Sequence, residues 1–271
     1  MNQAILITGA SSGLGKDAAK LFQTKGWNVI ATMRNPESET ELTQLDNVLV
    51  TKLDVLDLES IENAVAEGLS KFGKIDVLVN NAGYGAYGPL ESFPREKIIR
   101  QFNTNVIGLL DVTKALLPHF RGNKGGVIIN ISSVGGKMAF PLGSLYHGTK
   151  FAVEGISESL NYEVEQFGGK VKIVEPGAIA TDFAGRSLDF VNDKNLVEYQ
   201  PLVGKVIAGM PALYQNAYSG TDIAQVLYEA ATDGKDKLRY TAGEDAKVMV
   251  VIRKQADDEA FIGGLKAQFG L

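Results

Sequence analysis

The sequence predicts an α/β fold in one domain, a doubly wound parallel sheet with helices on both faces. Three observations predict it. Short apolar runs alternate with helical patterns through Leu238 to Thr241, an order that requires a parallel sheet covered on both sides. The first run, Ala4 to Thr8, breaks directly into Gly9, Gly13 and Gly15 ahead of a helical pattern of Ala18, Leu21 and Phe22. The polar and glycine-bearing candidates fall at strand exits, the edge at which ligands bind in sheets of this kind. No linker-like stretch divides residues 1–271, so they are read as a single domain.

Composition removes several classes of function. A formal net charge of −5 with no long basic run argues against nucleic acid or an anionic membrane as the main partner. Cysteine is absent, so no disulfide framework, thiol nucleophile or cysteine-metal site is available. Two histidines, His119 and His147, are too few for a histidine metal cluster, and no metal site is expected. The start, MNQAILITGASSGLG, has no basic leader or cleavage site, and no stretch approaches a membrane span. A cytoplasmic protein is expected.

In chain order, the strand Ala4 to Thr8 and its glycine turn suit a dinucleotide pyrophosphate. Main-chain N–H groups and the positive end of the helix would receive the phosphates. The spacing is G-x-x-x-G-x-G, and a plain strand-to-helix turn is the alternative. Trp27 to Met33 reads as the second strand. Where an acid would hydrogen-bond a ribose 2′-hydroxyl, the chain has Met33 and then Arg34. A guanidinium suits a 2′-phosphate, which favours NADP(H) over NAD(H); a strand-end cap is the alternative.

Val48 to Leu53 forms a third strand with Asp54 and Val55 at its exit, and Leu58 to Phe72 an amphipathic helix. Ile75 to Val79 is the fourth strand and leaves through Asn80-Asn81-Ala82-Gly83, where asparagines can tie the strand end to its neighbours. A helix around Ile98 to Leu117 is expected to end at Pro118. Asn105 within it competes with helical bonding, which suggests a kink or a bound water, with a surface Asn as the alternative.

From Ile128 an apolar strand runs through Ser132-Ser133 and a Gly-rich loop into a helix opening with Tyr146-x-x-x-Lys150. Residues four apart share a helix face, so the ammonium can sit near the phenol oxygen. A phenol has a pKa near 10, and a nearby cation would favour the phenolate by about two units. Ser133 lies at the strand exit, where its hydroxyl could bond the same substrate oxygen as Tyr146. The trio suits carbinol and carbonyl chemistry. His147 should point about 100° away from Tyr146 and is read as packing or surface.

The helix runs on to Gly168-Gly169, and Val171 to Val174 is a further strand leaving through Glu175-Pro176-Gly177. Asp182 to Gly220 is poorly periodic and reads as a substrate loop or lid over 182–220. Its apolar residues, among them Phe183, Leu188, Phe190, Met210, Leu213 and Tyr214, could line an apolar pocket or form the core of two short helices. Thr221 to Ala231 reads as a helix with Thr221 as N-cap.

Taken together, Thr8-Gly9-Ala10-Ser11-Ser12-Gly13-Leu14-Gly15, Asp54-Val55, Asn80-Asn81-Ala82-Gly83, Asn105, Ser133, Tyr146-x-x-x-Lys150 and Pro176-Gly177-x-Ile179-x-Thr181 resemble the short-chain dehydrogenase/reductase family. The resemblance extends to about residue 245. It implies a Rossmann-like fold, a nicotinamide cofactor and a catalytic tetrad of Asn105, Ser133, Tyr146 and Lys150. Tyr146 would exchange the proton with substrate, Ser133 would orient the substrate oxygen, and Lys150 would lower the Tyr pKa and hold the nicotinamide ribose. Asn105 would hold a water linking Lys150 to solvent.

The cofactor contacts implied are Gly9, Ser11, Ser12, Gly13, Leu14 and Gly15 at the phosphates and Arg34 at the 2′-phosphate. Asp54 and Val55 would flank the adenine, and Asn81, Ala82 and Gly83 the adenosine side. Pro176, Gly177, Ile179 and Thr181 would stand at the nicotinamide end with Tyr146 and Lys150. Ser12 stands where many NADP-preferring members carry Arg or Lys. The string NNAGYGAYGPLE is similar to the branch with hydroxysteroid and retinol dehydrogenases.

The implied activity is the NADP(H)-dependent interconversion of a secondary alcohol and a ketone or aldehyde on a small molecule with apolar bulk, by a homodimer or homotetramer. A non-catalytic NADP(H)-sensing protein of the same fold is the alternative; epimerisation or dehydration would need a longer chain with its own substrate domain.

Overall fold

The computed structural model describes residues 2–180, 187–215 and 217–271. In chain order the strands are β1 (Ala4–Thr8), β2 (Asn28–Met33), β3 (Val48–Lys52), β4 (Val77–Asn80), β5 (Gly85–Tyr87), β6 (Gly126–Ile131), β7 (Gly169–Pro176), β8 (Ile179–Ala180), β9 (Leu188–Phe190), β10 (Tyr218–Ser219) and β11 (Arg239–Ala242). The helices are α1 (Gly13–Thr24), α2 (Leu58–Phe72), α3 (Arg95–Phe102), α4 (Gly108–Gly122), α5 (Ser144–Val164), α6 (Gln200–Leu213), α7 (Gly220–Thr232), α8 (Glu244–Gln255) and α9 (Asp258–Phe269).

Seven parallel strands form the sheet in the order β3-β2-β1-β4-β6-β7-β11. All five residues of β1 are buried, as a strand covered on both faces requires. Its side chains alternate between layers: Ile5 and Ile7 join Phe22, Trp27, Ile223 and Leu227 on one face, and Leu6 joins Ile61, Leu78, Leu116 and Phe120 on the other. Each fully buried Ile or Leu contributes about 1.5–3 kcal/mol. From β1 the chain winds one way through β2 and β3, then returns to the other side with β4. The strand order therefore reverses between β1 and β4, which opens a crevice at their carboxyl ends.

Three sequence expectations are corrected. The single helix ending at Pro118 is two, α3 and α4, joined by a π-helical turn over Asn103–Ile107. α4 continues to Gly122 with the exposed Pro118 inside it, so the Lys114 carbonyl that loses its partner lies on the wet side. α7 begins at Gly220, capped by Ser219 rather than Thr221: the Ser219 hydroxyl accepts from Asp222 N–H at 3.1 Å and the Asp222 carboxylate accepts from Ser219 N–H at 3.2 Å. Residues 187–215 carry β9, paired in parallel with β5, and the fourteen-residue α6, whose Val203 and Val206 are buried. Phe183 and Thr181 lie outside the described residues. α8 and α9 were not foreseen; their inner face packs Ala246, Val250 and Phe261 on Val134 and Met138.

Candidate active site

The glycine turn after β1 is shaped by close approach. Gly9 and Gly13 have φ of +68° and +52°, values that favour glycine. A Cβ on Gly9 would stand 3.0 Å from Ala82 Cα, and one on Gly15 would strike the Gly9 carbonyl and come within 2.6 Å of Asn81 Nδ2. Asn81 ties the turn down: Nδ2 donates to Thr8 O at 2.9 Å and Gly9 O at 3.1 Å, and its N–H donates to Thr8 Oγ1 at 3.0 Å. Ser12 precedes α1 without a side-chain cap bond, and no acidic residue stands in the first turn of α1. Its N–H groups are thus available to an anion.

Arg34 is exposed at the rim beside the buried Met33, and no carboxylate among the described residues pairs with it. The loop beyond it is pinned to α1 by Lys16, 3.2 Å from Glu39 and 2.9 Å from Glu41.

α5 presents Tyr146 and Lys150 on one face. A hydrogen bond joins the Ser133 hydroxyl to the Tyr146 phenol oxygen, while Gly135 N–H donates to Ser133 Oγ at 3.0 Å and fixes its position. The Lys150 ammonium donates to Ile131 O at 2.8 Å and lies 5.7 Å from the centre of the Tyr146 ring. Burial decides both ionisations. It pushes the phenol up to about 12 against the opposing Ser133 hydrogen bond, and the ammonium down to about 8 against the opposing charge of Glu154. On the phenol, burial is the largest influence and Tyr214 adds to it, while the Ser133 hydrogen bond works the other way.

His147 is packing, as its direction required. It is buried, with Nδ1 3.0 Å from Gly135 O and Nε2 accepting from Phe140 N–H at 3.1 Å, so the proton sits on Nδ1. Burial holds its pKa below the usual histidine value. The Tyr87 ring stacks at 5.4 Å from that of Tyr146, and burial raises its pKa well above the ordinary value. Asn105 is buried under the site in the π-helical turn: Oδ1 accepts from Tyr84 N–H at 3.1 Å, and Nδ2 donates to Tyr84 O at 2.8 Å and Thr149 Oγ1 at 3.1 Å. The turn resolves the kink anticipated at Asn105.

These groups share one cleft of about 770 Å³. Gly9, Ser11, Ser12, Gly13, Leu14, Arg34, Asp54, Val55, Asn81, Ala82 and Gly83 line one end, and Ser133, Tyr146, Lys150, Pro176, Gly177 and Ile179 the other. Gly15 and Asn105 do not line it and act from behind; Thr181 is outside the described residues. Leu188 and Tyr214, read from the sequence as possible pocket-lining residues, line the cleft; Tyr84, Tyr87, Phe140, Asp245 and Met249 line it too and carry no signal in the sequence. Among the described residues no group of three His, Asp or Glu side chains is placed to hold a metal, and no helix is long and apolar enough to cross a membrane.

The cleft fits a dinucleotide. It offers glycines where side chains would collide, an uncapped helix start, a guanidinium that no carboxylate among the described residues pairs with, and the Ser133, Tyr146 and Lys150 side chains. Fold and site together define a doubly wound α/β protein with a ligand crevice at its switch point and a Ser-Tyr-Lys group at the strand exits. The chain belongs to the short-chain dehydrogenase family, whose model matches residues 3–191. It is 46% identical over 239 residues to an uncharacterized oxidoreductase of Schizosaccharomyces pombe, covering 88% of this chain and all of that one. It is 44% identical over 181 residues to a 3-ketodihydrosphingosine reductase of Bacteroides thetaiotaomicron, covering 67% of this chain and 65% of that one. Among solved structures, a short-chain dehydrogenase from Streptomyces avermitilis superposes with a TM-score of 0.83 at 33% identity, covering 99% of this chain and 95% of the other. The protein ElxO with NADP bound superposes with a TM-score of 0.72 at 28% identity, covering 89% and 98%.

Proposed function

We propose that the chain is an NADP(H)-dependent oxidoreductase that interconverts a secondary alcohol and a ketone or aldehyde by hydride transfer, with Tyr146 as the acid/base. The observation that carries this is the Tyr146 phenol, bonded to Ser133 and flanked by Lys150, in the same cleft as the glycine turn. Bound there, the nicotinamide cofactor supplies or accepts the hydride. Ser133 orients the substrate oxygen. Tyr146, which keeps its proton, gives it to that oxygen in reduction and takes it back in oxidation. The buried Lys150 ammonium stabilises negative charge on the phenol oxygen as the proton leaves. Asn105, its amide committed, holds Tyr84 and the turn of α5 that carries Tyr146. The relay water implied by the family resemblance would have to meet its main chain.

Gly9 to Gly15 hold the phosphates, Asp54, Val55 and Asn81 to Gly83 the adenosine, and Pro176 to Thr181 the nicotinamide end. Arg34 takes the 2′-phosphate. Arg34→Leu is expected to lower kcat/KM for NADPH by about 10- to 100-fold, the worth of a charge-assisted bond, and to leave that for NADH nearly unchanged. Steady-state kinetics with both cofactors checks this, and an equal loss with each sinks the role.

Tyr87, Phe140, Tyr214 and Met249 give the substrate end an apolar wall, which suits a carbonyl compound with apolar bulk. Of residues 187–215, Ser187, Leu188, Asp189 and Tyr214 line the cleft, and the β5–β9 pairing and Lys97 on α3, 2.6 Å from Asp189, anchor the first of them. The exposed Ile107, Phe151 and Tyr162, at the start of α4 and along α5, support a homodimer or homotetramer built through those helices. The deciding experiment is a panel of apolar ketones and aldehydes with NADPH, followed at the nicotinamide absorbance. A protein that binds NADPH and turns over none of them would instead be a cofactor-sensing relative of the same fold.

A further inference from the structure

Asp245, the second residue of α8, reaches across to the turn that follows β7. One carboxylate oxygen, Oδ2, accepts from Ala178 N–H at 2.8 Å. The other, Oδ1, is buried with no hydrogen-bond partner, and among the described residues no cation pairs with the group. Space is kept for it on two sides. A Cβ on Gly177 would overlap both oxygens, and one on Gly243, where φ is +109°, would overlap Oδ1. Asp245 and Met249, one helical turn on, both line the cleft. A carboxylate on a cleft wall with no counter-cation is unfavourable unless a ligand brings opposing charge near it. Its one bond goes to Ala178 rather than to α8, so capping of its own helix does not account for it.

We propose that Asp245 sets the redox-state preference of the cleft: its carboxylate faces the nicotinamide end and favours the oxidised, cationic ring over the reduced, neutral one. The proposal rests on the reading that Pro176 to Ile179 meet the nicotinamide. The two cofactor forms share phosphates, riboses and adenine and differ by one positive charge on the ring. A fixed negative charge in a wall of low dielectric discriminates between them on that difference alone. The bound-state equilibrium then leans towards oxidised cofactor and alcohol. The hydride goes to the carbonyl carbon and the Tyr146 proton to its oxygen.

Asp245→Asn retains an oxygen for Ala178 N–H and removes the charge. Calorimetric titration of the purified protein with NADP+ and, separately, with NADPH gives the two Kd values. Their ratio, NADP+ over NADPH, is expected to rise about tenfold. Met249→Lys, which sets a cation beside the carboxylate, is expected to move the ratio the same way. A purely structural role would weaken both forms alike. A ratio within about twofold of wild type in both variants overturns the proposal; if the wild type nonetheless binds both forms, the cofactor assignment stands and only Asp245 loses its role. Wild-type protein that binds neither form removes both.

Discussion

Tyr146→Phe is expected to lower kcat/KM for carbonyl reduction by about 10²- to 10⁴-fold, the usual worth of a positioned acid–base group, while the Kd for NADPH changes little. The substitution removes one oxygen and keeps the ring that stacks on Tyr87, so neither the fold nor the shape of the cleft is disturbed. What is lost is specific: the hydroxyl that bonds Ser133 and carries the proton. Among the described residues, the two nitrogen donors beside it are engaged elsewhere. His147, the neighbouring titratable group, is locked by Gly135 and Phe140, and burial keeps it neutral. Lys150 is spoken for by Ile131 O. Turnover equal to wild type in the Phe variant, with NADPH bound, would refute the acid–base role. A loss of NADPH affinity in parallel would mean instead that the phenol serves binding.

Much of this was legible because the physics is local. The strands β1, β2 and β4 are near-continuous apolar runs, and each exits into residues that a sequence displays openly, such as Gly9, Arg34 and Asn81. Tyr146 and Lys150 are legible for the same reason, since helical spacing alone puts them on one face. The parts that escaped depend on partners far along the chain. Asn105 signalled an irregular helix but not a π-helical turn, because its bonds go to Tyr84 and Thr149. Asp245 and Met249 reach the cleft only through the packing of α8 on Val134 and Met138. The shared face of Tyr146 and Lys150 follows from their spacing; the burial that raises the phenol and lowers the ammonium is a property of the assembled cleft. Ser219 is inconspicuous as a cap because Asp222 stands where the capping-box pattern has Glu or Gln.

Lys172→Met is expected to cost about 3–5 kcal/mol of stability, the penalty for breaking a buried ion pair by removing one partner. In sequence Lys172 is an unremarked polar residue inside β7, yet it is 2% exposed. All three ammonium protons are used: Nζ donates to Asp233 Oδ1 at 2.7 Å, Tyr240 Oη at 2.7 Å and Lys235 O at 2.9 Å. Tyr240 in turn donates to Asp233 Oδ2 at 2.7 Å, closing the triangle. Methionine fills the space of the stem but leaves the Asp233 carboxylate without its cation. Burial alone would raise the Asp233 pKa; the bonds from Lys172, Tyr240 and Lys235 N–H outweigh it and bring it down to about 2. The folded-state pKa lies below the unfolded value, so this contribution is present above about pH 4 and is lost as pH falls through about 2. Urea unfolding at pH 7 measures the first effect. The same titration between pH 4 and 2 measures the second, and Asp233→Asn should flatten it. Lys172→Met with Asp233→Leu should recover much of the loss, because two apolar groups leave no charge unpaired. Lys172 does not touch the cleft, so the folded fraction of the single variant should turn over as wild type does. A loss below about 1 kcal/mol in Lys172→Met, the range of an exposed pair, would show that the triangle is solvated and carries little of the fold.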